Sequence, residues 1–205
     1  MKHHLIFLLI FMAIIYCSCD ILDDIANKHR DSFVVIGDQN AKITRIEDEI
    51  SQSYFKDSVL FLIDLDLDGV EDFRLYKHHY LTPCLFVSKF GIDCLHDLAK
   101  VYTNDTIETP EILILGDTLD IDKYWLSKNL LLVDAVGVCK VGGGDGIIHK
   151  YGNWVNRKNK YIGLLIEKEI NPIYGWIKIS ISNNNMTNSL TIHQIGYKKA
   201  AYNTQ

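Results

Sequence analysis

Five acidic side chains fall within nine residues at Asp64-Leu65-Asp66-Leu67-Asp68-Gly69-Val70-Glu71-Asp72. Carboxylates this close repel one another. A hard divalent cation, which takes about six to eight oxygen ligands, removes that repulsion. Asp64, Asp66 and Asp68 stand where the first, third and fifth ligands of a calcium loop stand. Gly69 supplies the bend, Val70 offers its carbonyl, and Asp72 occupies the ninth position. The expected metal ligands are therefore Asp64, Asp66, Asp68, Val70 and Asp72, and the expected ion is Ca²⁺. Where a helix-loop-helix calcium site needs a bidentate Glu, this chain has Leu75. The flanks also read as strands, so the expectation is a compact loop between two strands, completed by carbonyls and water. The competing reading is a plain hairpin turn at Asp68-Gly69 beside a solvated edge strand. Asp is a poor strand former, which favours the ion.

Other constellations carry less chemistry. No nucleophile elbow, His-Glu-x-x-His or phosphate loop is present. Gly142-Gly143-Gly144-Asp145-Gly146 lacks the Lys of a phosphate cradle, and the adjacent His78 and His79 read as surface residues. Glu108, Glu111, Glu167 and Glu169 are carboxylates from which a glycosidase pair would have to come, with nothing favouring any two. Trp125, Trp154 and Trp176 are candidate platforms for stacking on sugars, weighed against the ordinary role of Trp in a core.

The elements that position these residues begin after a targeting segment. Met1-Lys2-His3-His4 precedes an apolar run from Leu5 to Ile15, too short to span a bilayer and of signal-peptide length. Ser18-Cys19 then resembles a bacterial lipobox, with Cys19 as the lipidated residue and Tyr16 a departure from the usual Leu. The expected organisation is a signal peptide over 1–18, a polar, acid-rich lipid-anchored tether over 19–31, a β domain over 32–200 and a tail over 201–205. Loss of Lys2 leaves 20 Lys and Arg against 26 Asp and Glu. An acidic chain without basic clusters is not expected to bind nucleic acid, whose affinity comes chiefly from Lys and Arg on phosphates. Of the remaining cysteines, Cys84 and Cys94 could pair as a disulfide in an oxidising envelope, with unpaired core thiols as the alternative; Cys139 reads as a buried thiol.

From Ser32 onward, short runs rich in Ile, Val, Leu and Tyr alternate with Gly, Asn and Asp clusters, a β pattern. Tyr174 to Ser182 and Leu190 to Tyr197 alternate apolar and polar around a polar turn at 183–188, which predicts a hairpin with one buried face. Ile112 to Leu115 reads as a strand; Ile92 to Tyr102 and Lys123 to Leu132 read as the two helical options. The predicted fold is all-β, a two-sheet antiparallel β-sandwich of jelly-roll or concanavalin-like type.

Order and spacing add a resemblance. The Asp-rich loop ending in Asp72-Phe73, then Gly116-Asp117-Thr118-Leu119 with Trp125, Gly152-Asn153-Trp154, Tyr161-Ile162-Gly163 and Tyr174-Gly175-Trp176-Ile177-Lys178 together resemble a group of uncharacterised exported lipoproteins common among Bacteroides-like organisms. The likeness covers about residues 32 to 200. It implies a cell-envelope β-sandwich, at the outer membrane or cell surface, without an established activity. Most such proteins have Asn-Gly-Asp-Gly or Asn-Asn-Asp-Gly where this chain has Asp66-Leu67-Asp68-Gly69. The expected function is a lipid-anchored, non-enzymatic binding or accessory module with a calcium loop and a glycan as ligand. The alternatives are a glycan-acting hydrolase on a concanavalin-like sandwich and a purely structural envelope component.

Overall fold

The computed structural model describes residues 33–51, 58–82, 85–104, 107–120, 123–138, 147–169, 171–184 and 187–199. The signal peptide, Cys19 and the tether lie outside these residues, as do Cys84, Cys139 and the glycine run at 142–146. Every described element is a strand. One sheet has five strands in the spatial order Ile147–Tyr151 (β11), Leu130–Val138 (β10), Leu85–Cys94 (β5), Phe73–Thr82 (β4) and Ser58–Ile63 (β3). The other runs Lys42–Ser51 (β2), Thr187–Lys199 (β14), Ile173–Asn184 (β13), Lys160–Ile166 (β12), Ala99–Asn104 (β6) and Ile107–Pro110 (β7), with Trp125–Leu126 (β9) also paired to β6. A two-stranded ribbon joins Phe33–Val35 (β1) to Thr118–Asp120 (β8). All pairings are antiparallel.

The two large sheets face each other as the β pattern predicts. Ile63, Phe73, Leu75, Phe90, Ile92 and Leu130 from the five-stranded sheet share one apolar cluster with Ala99, Val101, Ile162, Leu164, Ile177 and Ile192 from the other. Residues two apart along a strand share a face, so burying Ile162, Leu164 and Ile166 turns Tyr161, Gly163 and Leu165 to the opposite side. That side is also buried. Tyr161, Leu165, Tyr174 and Trp176 form a second cluster with Val34, Ile36, Leu113 and Leu119, contributed by the β1–β8 ribbon and its flanks. The sandwich thus carries a partial third layer, which corrects the expectation of one buried face for the β13 strand. A continuous apolar run such as Tyr161 to Ile166 is what burial on both faces requires.

Three glycines permit this packing. Trp176 stands opposite Gly163 on β12 and Gly196 on β14. A Cβ on Gly196 would lie 2.4 Å from the Trp176 ring, so the indole fills the space a side chain would take. On the inner face, a Cβ on Gly175 would lie 2.5 Å from Cδ1 of Leu65, a residue of the acidic loop. The loop is therefore seated directly on the central strand of the facing sheet.

Three local expectations change. Ile92 to Tyr102 spans the end of β5, a turn and β6; Lys123 to Leu132 spans β9 and the start of β10, so neither is helical. Their apolar residues pair in register with Leu75, Leu126 and Leu164, and ladder pairing wins over a short isolated helix. Ile112 to Leu115 is not a strand, and contributes a single bridge from Leu113 to Tyr161. The β13–β14 hairpin continues into the predicted 183–188 turn, with Asn183 opposite Asn188 and Asn184 opposite Thr187.

Replacing Gly196 by Ala should destabilise the protein by about 1–3 kcal/mol through overpacking against Trp176. Pairing it with Trp176→Leu should recover part of the loss, as read by urea denaturation. Full stability in Gly196→Ala alone would show that the indole is free to move away.

Candidate metal centre

The acidic loop joins β3 to β4 at one end of the five-stranded sheet. Its apolar and acidic residues have separate tasks. Leu65 is buried against Gly175, which fixes the middle of the Asp64-Leu65-Asp66 run and leaves the carboxylates on either side half-buried. Asp64 accepts the Asp68 N–H at 3.2 Å on one oxygen and the Gly69 N–H at 2.8 Å on the other. Asp66 also accepts from the Asp68 N–H, at 3.1 Å, and Asp68 accepts from the Val70 N–H at 2.9 Å. These short-range contacts curl the chain, as Asp side chains do in turns.

Asp72 closes the loop. It is 3% exposed, and its Oδ2 accepts the Leu65 N–H at 2.6 Å. Its Oδ1 lies 2.8 Å from Nε2 of His96, in the turn between β5 and β6. Its backbone continues the clamp: the Asp72 N–H donates to Ile63 O at 2.8 Å, and Asp72 O accepts the Leu95 N–H at 2.9 Å. One residue thus ties the loop, the end of β3 and the β5–β6 turn together.

Carboxylate oxygens of Asp64, Asp66 and Asp72 all lie within 4.8 Å of one another, an arrangement that could hold a metal ion. The chain also brings cations of its own. Nζ of Lys168, in the turn between β12 and β13, forms an ion pair with Oδ2 of Asp66. Burial pushes the Asp66 carboxyl upward, but the hydrogen bond and charge of Lys168 outweigh it and hold the group below the ordinary carboxylate value. The same contact raises Lys168. At Asp72 the balance goes the other way. Burial raises its carboxyl above the ordinary value, and the contacts with His96 and the Leu65 N–H offset this only in part. Of these two, ionised Asp72 is the less compensated charge.

Of the five expected ligands, the structure brings together Asp64, Asp66 and Asp72. Asp68 is outside that group. Leu67 separates it from Asp66 in the left-handed region, at φ 62°, and the chain turns so that Asp68 is exposed and caps the Val70 N–H instead. Val70 is exposed, as is Glu71. His96 and Lys168 had no signal in the sequence, because they lie 24 and 102 residues from their partners. Only the topology places their turns at the end of the sandwich that holds the loop.

The tryptophans are placed differently from the sugar-platform expectation. Trp154 and Trp176 are fully buried, so neither can stack on a ligand from solvent. Trp154 donates its indole N–H to Pro110 O at 2.8 Å, and Trp176 fills the outer-layer core. Trp125 is half-buried, donates to Asp120 O at 2.8 Å and meets Tyr102 edge-on at 5.1 Å between ring centres. Cys94, at the end of β5, is a free thiol, and Cys84, its expected disulfide partner, lies outside the described residues. Burial pushes the Cys94 thiol up to about 11.

No known protein family, curated protein or solved structure matches this chain in the comparisons made with each.

Leu67 holds a backbone conformation that costs an L-residue with a Cβ about 1–2 kcal/mol and that Asn visits readily. It is 65% exposed, so its side chain gives little back. Leu67→Asn should therefore raise stability by about 1 kcal/mol in chemical denaturation. A loss of stability would mean that the Leu67 side chain has a role in holding the loop.

Proposed function

We propose that the protein is an exported cell-envelope domain, lipid-anchored at Cys19, that acts as a non-enzymatic binding module and whose loop end is stiffened by Ca²⁺. The observation that carries the ion is the convergence of Asp64, Asp66 and Asp72 around one point, with Asp72 desolvated and only partly compensated. All three donors are hard carboxylate oxygens, the chemistry that Ca²⁺ selects, and carbonyls and water would complete its shell. Lys168 occupies part of the same charge balance and gives way when the ion enters.

The loop flanks give this ion a structural role. Both are strands pinned in a sheet, with Leu65 seated on Gly175 and Phe73 and Leu75 fully buried, so ion binding has no hinged helix to swing. The gain is rigidity at one end of the sandwich. Anchoring at the membrane rests on the Leu5 to Ile15 run and on Ser18-Cys19.

The protein should melt at a higher temperature in millimolar calcium than in chelator, and Asp66→Ala should abolish the difference. Lys168→Ala should tighten calcium binding by about fivefold, since it removes a repulsion of about 1 kcal/mol between two cations at a wet surface. Identical melting with and without calcium would overturn the ion assignment. For the anchor, Cys19→Ala should move the protein from the membrane to the soluble fraction on cell fractionation; continued membrane association would overturn lipidation at that residue.

A further inference from the structure

A second feature lies on residues that the metal centre does not use. An open cleft of about 420 Å³ is lined by Tyr102, Thr103, Glu111, Leu113, Asp117, Thr118 and Tyr124. That volume is in the range of small-molecule sites. Its floor is fixed by the fold. Leu113 bridges to Tyr161 through reciprocal backbone hydrogen bonds of 3.0 Å, and Thr103 donates its N–H to Tyr124 O at 2.9 Å and its hydroxyl to the same oxygen at 3.3 Å. Tyr102 is held by its edge-on contact with Trp125, which in turn meets Tyr174 of the outer-layer core.

The lining has a particular chemistry. Tyr124 is 55% exposed, a large aromatic surface left in water at the rim of a cleft. Glu111 and Asp117 supply carboxylate acceptors, and Thr118 and the tyrosines supply hydroxyls. Among the described residues, none of the lining side chains is cationic. Burial raises the Tyr102 phenol, and the charges of Glu111, Asp120 and Asp117 raise it further, so the cleft is electronegative. Asp117 spends one oxygen on the Ile114 N–H at 2.7 Å, which fixes the direction of its other oxygen.

An aromatic face beside fixed acceptors suits a ligand with a flat C–H surface and a rim of hydroxyl donors. We infer that this cleft binds a neutral saccharide, with Tyr124 stacking on the ring and Glu111 and Asp117 accepting from its hydroxyls. Uronates and other anionic sugars are refused, because two carboxylates line the cleft with no cation among the described lining residues. The inference rests on the reading of the domain as a binding module and names its ligand class. It also relocates sugar recognition from Trp154 and Trp176, which are buried, to Tyr124.

Saturation-transfer NMR on the purified protein tests it, with cellotriose, maltotriose, mannotriose and chitotriose as neutral probes and trigalacturonate as the anionic one. At least one neutral trisaccharide should receive saturation and trigalacturonate should not. Tyr124→Ala and Glu111→Gln should each weaken that binding by about tenfold while leaving the calcium-dependent melting unchanged. Absence of binding by all four neutral probes, or binding insensitive to both substitutions, would overturn the cleft and leave the calcium reading standing. The same spectra report turnover: new anomeric signals that disappear in Tyr124→Ala would support sugar recognition in the cleft and overturn the non-enzymatic reading.

Discussion

The buried carboxylate of Asp72 is the constraint on which this end of the molecule depends. A charged group with 3% exposure is unfavourable unless its oxygens are occupied, and here both are, by the Leu65 N–H and by His96. Those two contacts run to different parts of the fold. The first fixes the loop so that Leu65 drops onto Gly175 of the facing sheet; the second draws in the turn that carries the chain from β5 to β6, from one sheet to the other. One side chain thus links the loop conformation to the turn that joins the two sheets.

The same arrangement explains how the chain tolerates such a density of like charge. Backbone N–H groups of Asp68, Gly69 and Val70 each take a carboxylate oxygen, and Lys168 supplies one full counter-charge at Asp66. What is left over is concentrated at Asp72, where burial dominates. A divalent cation between the three carboxylates would remove that remainder. It would compete with Lys168 at Asp66, within a loop whose flanking strands are both held in the sheet. This fits a stiffening ion better than one that switches a conformation.

Much of the architecture was legible in the sequence because β structure leaves a period-two imprint wherever one face meets solvent. Ile177 to Ser182 and Leu190 to Tyr197 carry that imprint and form most of the β13–β14 hairpin. The imprint fades where both faces are buried. The run from Tyr161 to Ile166 announces a strand but not the ribbon that covers it, and Phe33 to Ile36 and Gly116 to Leu119 give no hint that they meet. Glycines hid a further layer of meaning. Gly163, Gly175 and Gly196 look like breaks in strands, yet they are the spaces into which Leu119, Leu65 and Trp176 fit. At the site, types and spacing pointed to Asp64, Asp66 and Asp72, since local sequence sets a tight loop. Asp68 stands apart from those three, beyond Leu67 in a left-handed conformation more usual for Gly or Asn. His96 and Lys168 were invisible, because which turns gather at one end of a sandwich is decided by topology.

The central claim is that the three carboxylates gathered by Asp72 form an ion site. Calorimetric titration of calcium into the wild-type protein and into Asp72→Asn addresses it most directly. Saturable binding to the wild type and its loss in the variant are expected, with the variant still folded by circular dichroism. A flat titration of the wild type, or undiminished binding by Asp72→Asn, would contradict it.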